Sequence, residues 1–142
     1  MGGDHGAAVT LRPCRSFLDK HPHAELVLVG TALALLPATA WARTQCVAAS
    51  EVVTMDDSIE VALRRKKDSS MRVAIEQLKA GEGVEPAAQV CVSTGNTGAL
   101  MAMAKVALRT MPGIDRPALA ALLPTLADTD VVMLDLGANT EC

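Results

Sequence analysis

The chain has 142 residues, 50% of them hydrophobic, and a formal net charge of −3 at pH 7. This length favours a single domain with a sizeable core. Because the sequence has one Trp, one Phe and no Tyr, that core has to be aliphatic. The net negative charge gives no positive field that would attract nucleic acid, and the near absence of aromatic side chains leaves no platform on which bases could stack. We therefore expect no nucleic-acid partner.

Helical and extended segments alternate along the chain, which predicts an α/β fold with a mostly parallel sheet and right-handed crossovers. The run 89–93 lacks polar alternation, so we expect it to be buried on both faces. The helix 98–110 has few polar residues and should be largely buried as well. In chain order the predicted elements are a helix from about Pro13 to Lys20, a strand at 26–29, a helix at 31–42, a strand with its exit at 45–53, helices at 56–67 and 68–81, a strand at 89–93, a helix at 98–110, and strands at 118–124 and 131–137.

Residues 26–42 carry no charge and allow three interpretations. They form a buried strand followed by a helix that Pro37 disturbs, a leader cleaved near Ala42, or a short membrane span. Glu25 stands directly before the apolar run, and Gly30 and Pro37 interrupt it. These features favour the buried strand and helix.

Four helix starts carry side chains that can accept a backbone hydrogen bond. Thr10 is the predicted cap of the first helix, and Asp57 with Glu60 forms a predicted capping box for the helix 56–67. Ser69 or Ser70 caps the next helix. Asn96 or Thr97 caps the helix that follows the turn 93–98.

The four cysteines, Cys14, Cys46, Cys91 and Cys142, form no C-x-x-C pair, and no histidine lies at a zinc-ligand spacing from them. We therefore predict reduced cysteines and no metal site. Cys91 lies inside an apolar run and has the character of a small buried hydrophobic residue.

The turn Ser93-Thr94-Gly95-Asn96-Thr97-Gly98 is the strongest candidate for chemistry. Glycines allow backbone N–H groups to face outward, and the following helix start adds unpaired donors and partial positive charge. These are the ingredients of an anion site. The turn is neither a P-loop nor a G-x-G-x-x-G motif, so a tight turn that binds nothing remains the alternative.

Ligands of parallel sheets bind beyond the carboxyl ends of the strands. We expect two further turns at this same edge of the sheet. In residues 134–139, Asp135 and Asn139 can shape a cleft, or Asp135 simply caps the loop. In residues 1–5, Gly2, Gly3 and Asp4 can form another amide concavity. His5 is either an acid/base group or a terminal side chain with no role.

Two basic features complete the set of candidates. Arg64, Arg65, Lys66 and Lys67 form a run that attracts an acidic partner or a phosphate, or is only a solvated helix end. Arg116 either clamps an oxyanion or pairs with a carboxylate such as Asp115. No combination of residues makes a convincing catalytic triad.

Taken in order, "GGDHG", "MDDSIEVALRRKKDSSMRVA", "STGNTGALM", "GIDRPAL" and "LDLGAN" closely resemble bacterial phosphate acyltransferase, the acyl-carrier-protein:phosphate acyltransferase of phospholipid synthesis. The likeness spans nearly the whole chain and is specific as a set. It implies a three-layer α/β/α fold similar to phosphotransacetylase and isocitrate-dehydrogenase-like enzymes.

The resemblance implies transfer of a fatty acyl group from acyl carrier protein to inorganic phosphate. The product, acyl phosphate, would serve the membrane glycerol-3-phosphate acyltransferase. The family implies no cofactor or metal, a homodimer at full length, and a cytoplasmic, peripherally membrane-associated protein.

By the same resemblance, Gly95, Asn96, Thr97 and Gly98 form the leading phosphate cradle, and Lys67, Ser69 and Arg116 are candidate supports. Gly2, Gly3, Asp4 and Asn139 complete the expected binding residues. The catalytic group is not assigned; its candidates are Asn96, Asp135 and His5.

The chain departs from the family pattern at both ends. The strand expected ahead of Gly2 is absent, and the family continues well beyond the segment ending at Asn139. We therefore expect residues 1–142 to be the N-terminal portion of a single α/β/α domain, inactive alone. The alternative functions are a non-catalytic phosphate-binding α/β module and an exported protein.

Overall fold

The computed structural model of the chain describes residues 3, 6–79, 85, 87–115, 117–127 and 129–135. It is an α/β structure that contains helices and a small parallel sheet. The chain divides into two compact units, 1–108 and 109–142. The elements are α1 (Gly6–Lys20), β1 (Leu26–Gly30), α2 (Ala32–Leu35), a 3₁₀ turn (Leu36–Ala38), β2 (Thr44–Ala48), α3 (Ile59–Arg64), α4 (Ser70–Glu76) and α5 (Thr97–Leu108) in the first unit, and β3 (Ala120–Pro124) and β4 (Asp130–Leu134) in the second.

The first unit is built on a parallel pair of strands. β1 and β2 run side by side, with Leu26 opposite Thr44 and Gly30 opposite Ala48. Helices α1, α2 and α4 pack against β1. β2 ends at Ala48 and the predicted exit of this strand follows it, because β1 ends at Gly30 and offers no further hydrogen-bonding partner.

The apolar run 26–42 forms β1, the single turn α2 and the 3₁₀ turn, as the first of its three interpretations predicts. Pro37 stands at the start of the 3₁₀ turn and ends the α-helical geometry, which confirms its disturbing role. In the ranges that the structure describes, no helix is both long and apolar enough to cross a membrane.

The first helix differs from its prediction. It already begins at Gly6 and contains Pro13, so Thr10 lies inside the helix and the prediction that Thr10 caps it is wrong. Proline lacks one N–H group and thereby removes one hydrogen bond, while the rest of the ladder remains available to hold the helix.

Two serines define the starts of the central helices. The Ser58 hydroxyl accepts from the Val61 N–H at 3.3 Å, so the predicted capping box of Asp57 and Glu60 is wrong. Ser69 accepts from the Arg72 N–H at 3.4 Å, which confirms the cap predicted for that helix. Both helices are shorter than predicted.

The core of the first unit is aliphatic, as the composition predicts. α5 packs against α3 and α4, and the residues buried between these helices come from all three and from the loop before α3. They are Val53, Ala62, Met71, Ile75, Ala99 and Met103. This packing fixes the N-terminal end of α5 against the loop that precedes α3.

The segment 89–93 is not a strand, which corrects the sequence prediction. No strand pairs with it in the described part of the chain, and Val90 and Val92 are 74% and 85% exposed. Cys91 packs against the core, and burial raises the pKa of its thiol, as expected for a packing residue. α5 buries only one face, since Val106 is 61% exposed.

The second unit contains a β-hairpin, which corrects the mostly parallel sheet. β3 and β4 pair antiparallel, with Ala120 opposite Leu134 and Pro124 opposite Asp130. The connection 125–129 is too short for a parallel crossover, which needs a dozen or more residues. The Thr125 hydroxyl closes the turn through the carbonyls of Ala127 and Thr129, at 2.9 and 2.6 Å.

Candidate functional site

The turn 93–98 leads directly into α5, and it leaves backbone donors without acceptors. The Gly95 N–H donates to Ser93 Oγ at 3.3 Å. In the part of the chain that the structure describes, the N–H groups of Thr97 and Gly98 donate to no acceptor. Both residues are exposed, and the first turn of α5 contains no acidic residue. The start of α5 therefore has two backbone N–H groups without an acceptor, at the helix end that carries a partial positive charge.

Asn96 fixes the entry to this helix with its whole side-chain amide. Its Oδ1 accepts from the Ala99 N–H at 3.0 Å, which confirms the predicted cap. Its Nδ2 donates to the carbonyls of Met55 and Asp57, at 3.1 and 3.3 Å. One side chain thus joins the start of α5 to the loop before α3. Its catalytic role stays a prediction.

Gly3, from the glycine turn predicted at the start of the chain, lies against the turn 93–98. A Cβ atom built on Gly3 would lie 2.9 Å from the carbonyl oxygen of Thr94 and 3.0 Å from its hydroxyl. No real Cβ makes so close a contact with a backbone atom, so glycine is required there. The structure therefore brings Gly3 close to Thr94 of the turn 93–98; that the two bends share one binding site stays a prediction.

Space also remains beside the second glycine of the turn. A Cβ on Gly98 would contact the Ile59 side chain at 3.4 Å and Asn96 Oδ1 at 3.6 Å. These are near-ordinary van der Waals distances, so a small side chain can be placed here without displacing the backbone.

Asp57, whose carbonyl accepts from Asn96, also forms an ion pair with Lys66 that the sequence did not reveal. Lys66 Nζ donates to the Asp57 carboxylate and to the Val52 carbonyl, the latter at 2.7 Å. The side chains of Lys66 and Asp57 are only 23% and 16% exposed. The Lys66 hydrogen bond, and next the Thr54 N–H at 2.6 Å, lower the pKa of the Asp57 carboxyl.

The basic run 64–67 does not act as one patch. Arg64 pairs with Glu60 at 3.1 Å on the surface, and Lys66 points to Asp57. Arg65 and Lys67 are exposed and make no side-chain hydrogen bond or ion pair within the described ranges. Lys67 is therefore available to an anion, whereas Lys66 is already engaged.

The remaining candidates fall into two groups. Ser69 is fully buried and caps α4, while Asp135, in the second unit, has φ 57° and donates its N–H to the Leu119 carbonyl at 2.6 Å. Their binding or catalytic roles stay predictions. The other candidates lie outside the described residues: Gly2, Asp4, His5, Arg116 and Asn139.

Metal ligands do not cluster in the part of the chain that the structure covers. No group of three or more His, Cys, Asp or Glu side chains among those residues could hold a metal ion.

Comparison with known proteins shows which family the chain belongs to. A family model described as "Fatty acid synthesis protein" matches residues 1–142. The chain belongs to this family. The match covers every motif of the resemblance stated above, and so confirms it.

Curated relatives of this fatty acid synthesis family carry the name "Phosphate acyltransferase". The chain is 56% identical over 142 residues to that of Acidovorax sp. (strain JS42), covering 100% of this chain and 40% of the relative. It is 58% identical over 142 residues to that of Delftia acidovorans, covering 100% and 39%. The chain therefore spans about 40% of the length of the curated relatives it matches.

Proposed function

We propose that this chain carries the phosphate-binding turn of an acyltransferase that moves a fatty acyl group from acyl carrier protein to inorganic phosphate. The observation that supports this most directly is the open N-terminal end of α5, where the Thr97 and Gly98 amides have no acceptor in the described ranges. The names of the relatives supply the reaction class.

The chemistry suits such a turn. A phosphate oxygen attacks the thioester carbonyl carbon, the carbon–sulfur bond breaks, and the carrier's thiol leaves with the proton that phosphate gives up. Holding phosphate beside the thioester supplies much of the rate gain. Backbone donors can also stabilise the oxyanion that forms at the carbonyl. A thiol of ordinary pKa, about 8.5, leaves without strong acid assistance.

In this proposal Gly95, Asn96, Thr97 and Gly98 form the cradle, and the free ammonium of Lys67 supports it. At full length the protein is a cytoplasmic, peripherally membrane-associated homodimer with a three-layer α/β/α fold. Acyl phosphate then passes to the membrane glycerol-3-phosphate acyltransferase for phospholipid synthesis.

The test replaces Gly98 with an internal anion. Gly98→Asp places a carboxylate in the first turn of α5, where it should favour the helix and compete with phosphate. We expect inorganic phosphate to raise the melting temperature of the wild-type chain and to leave that of Gly98→Asp unchanged. Gly98→Asn is the neutral control of equal size, and should weaken the phosphate effect much less.

A phosphate effect that persists in Gly98→Asp would contradict this placement of the anion. Turnover is tested separately at the full length of the curated relatives, because residues 1–142 are expected to be inactive alone. Acyl carrier thioester and phosphate are mixed with that longer protein, and released thiol is measured. Phosphate binding without thiol release is the result that the non-catalytic module predicts.

A further inference from the structure

The ion pair of Asp57 and Lys66 is connected to the turn 93–98 through the Asp57 backbone, whose carbonyl accepts from Asn96 Nδ2. Lys66 reaches the carbonyl of Val52 and the carboxylate of Asp57, and this carboxylate also accepts from the Thr54 N–H at 2.6 Å. The pair therefore ties together both ends of the segment 52–57. A single lysine fixes the path of the chain before α3.

That segment presents two carbonyl groups to the turn. Those of Met55 and Asp57 accept from Asn96 Nδ2, and Asn96 Oδ1 in turn accepts from the Ala99 N–H. The orientation of the Asn96 amide, and with it the direction of the first α5 amides, thus depends on where the segment 52–57 lies.

We propose that Asp57 and Lys66 are positioning residues for the phosphate cradle, acting through Asn96 and without touching the anion. This inference rests on the proposed function, because it assigns a role in phosphate binding at the same turn. A partly buried ion pair contributes little net stability compared with apolar packing, so stability alone does not account for it.

The first test removes the cation. Lys66→Met should raise the dissociation constant of the chain for inorganic phosphate about tenfold, the equivalent of about 1.4 kcal/mol. The constant is measured by NMR titration of the Gly98 amide, well below the melting temperature of each variant. Lys105→Met is the matched control: it makes the same change on an exposed lysine of α5 with no side-chain partner in the described ranges, and should leave the constant unchanged.

The second test removes the anion and gives the decisive sign. Asp57→Asn deletes a negative charge near the turn, so a purely electrostatic influence on phosphate would tighten binding. A positioning role predicts that binding weakens instead. Asp56→Asn, an exposed neighbour with no side-chain partner in the described part of the chain, is the control for net charge.

The outcomes separate the two proposals. Phosphate binding by wild type, weakened in both Lys66→Met and Asp57→Asn, supports the inference. Equal dissociation constants in wild type and variants, even with lowered melting temperatures, would overturn it and leave the proposed function intact. Should Lys66→Met not fold, Asp57→Asn decides alone, and no phosphate binding by wild type would overturn both proposals.

Discussion

At the scale of single residues, Asn96 determines how α5 begins. Its carbonyl oxygen serves as helix cap, and its amino group bonds two carbonyls of the loop before α3. Alanine would leave the Ala99 N–H and both carbonyls without this partner. Since a helix cap alone is worth about 1 kcal/mol, Asn96 should be among the most sensitive polar positions of the first unit.

We predict that Asn96→Ala lowers the free energy of unfolding by about 1 to 2 kcal/mol, measured by urea denaturation. Thr97→Ala is the neighbouring control, because the exposed Thr97 side chain makes no hydrogen bond within the described ranges. Equal stabilities of the two variants would show that the Asn96 bonds are not formed in solution.

Residue roles could be predicted where their partner is close in sequence. Ser69 and Asn96 cap the N–H three positions later, so the sequence itself contains both ends of each bond. The pair of Asp57 and Lys66 could not be predicted, because the two residues are nine positions apart and meet only once α3 has formed between them. The sequence instead predicts a helix-capping role for Asp57, which Ser58 fills in the structure.

At the scale of elements, the exit of β2 is joined to the start of α4 by hydrogen bonds. The Asp68 carboxylate accepts from the Ser50 hydroxyl at 2.5 Å and from the Ser50 N–H at 2.8 Å. The Ser70 N–H donates to the Glu51 carbonyl at 3.0 Å. These bonds hold the segment that follows β2 against the start of α4.

This connection predicts a dependence of stability on pH. The Ser50 hydroxyl, and next its N–H, lower the pKa of the Asp68 carboxyl in the folded protein. The resulting stability is fully present above the ordinary carboxyl pKa of about 4, and is lost as the pH falls through the lowered value.

We therefore expect Asp68→Asn to lose less stability than wild type between neutral and acidic pH, measured by denaturant unfolding at each pH. Asp56→Asn, which removes a carboxylate with no side-chain partner in the described ranges, should follow the wild-type curve. An Asp68→Asn curve parallel to wild type would show that the folded-state pKa is not lowered.

Elements were predictable by type more than by pairing. Apolar runs identified β1, β2, β3 and β4, but they could not show that β3 and β4 form a hairpin; the length of the connection 125–129 does. The run 89–93 has the composition of a strand, yet it forms none in the structure. A strand exists only where another strand supplies its hydrogen bonds.

At the scale of the whole molecule, the two units differ in how much they bury. The first has an aliphatic core, whereas every strand residue of the hairpin except Ala121 is exposed. An isolated hairpin is marginally stable in water. The composition predicts an aliphatic core, but apolar composition alone does not show which of the apolar residues are buried in it.

The family could be recognised because its motifs follow one another in a fixed order along nearly the whole chain. The longest of them contains α3 and α4, and the structure brings Gly3 of the first motif close to Thr94 of the third.

The proposed phosphate site consists of the open amides of α5. The most direct measurement is an NMR titration of the isotope-labelled chain with inorganic phosphate, against chloride at equal ionic strength. We predict saturable shifts that are largest at the Thr97 and Gly98 amides; saturable shifts centred elsewhere, or none at all, would contradict the account.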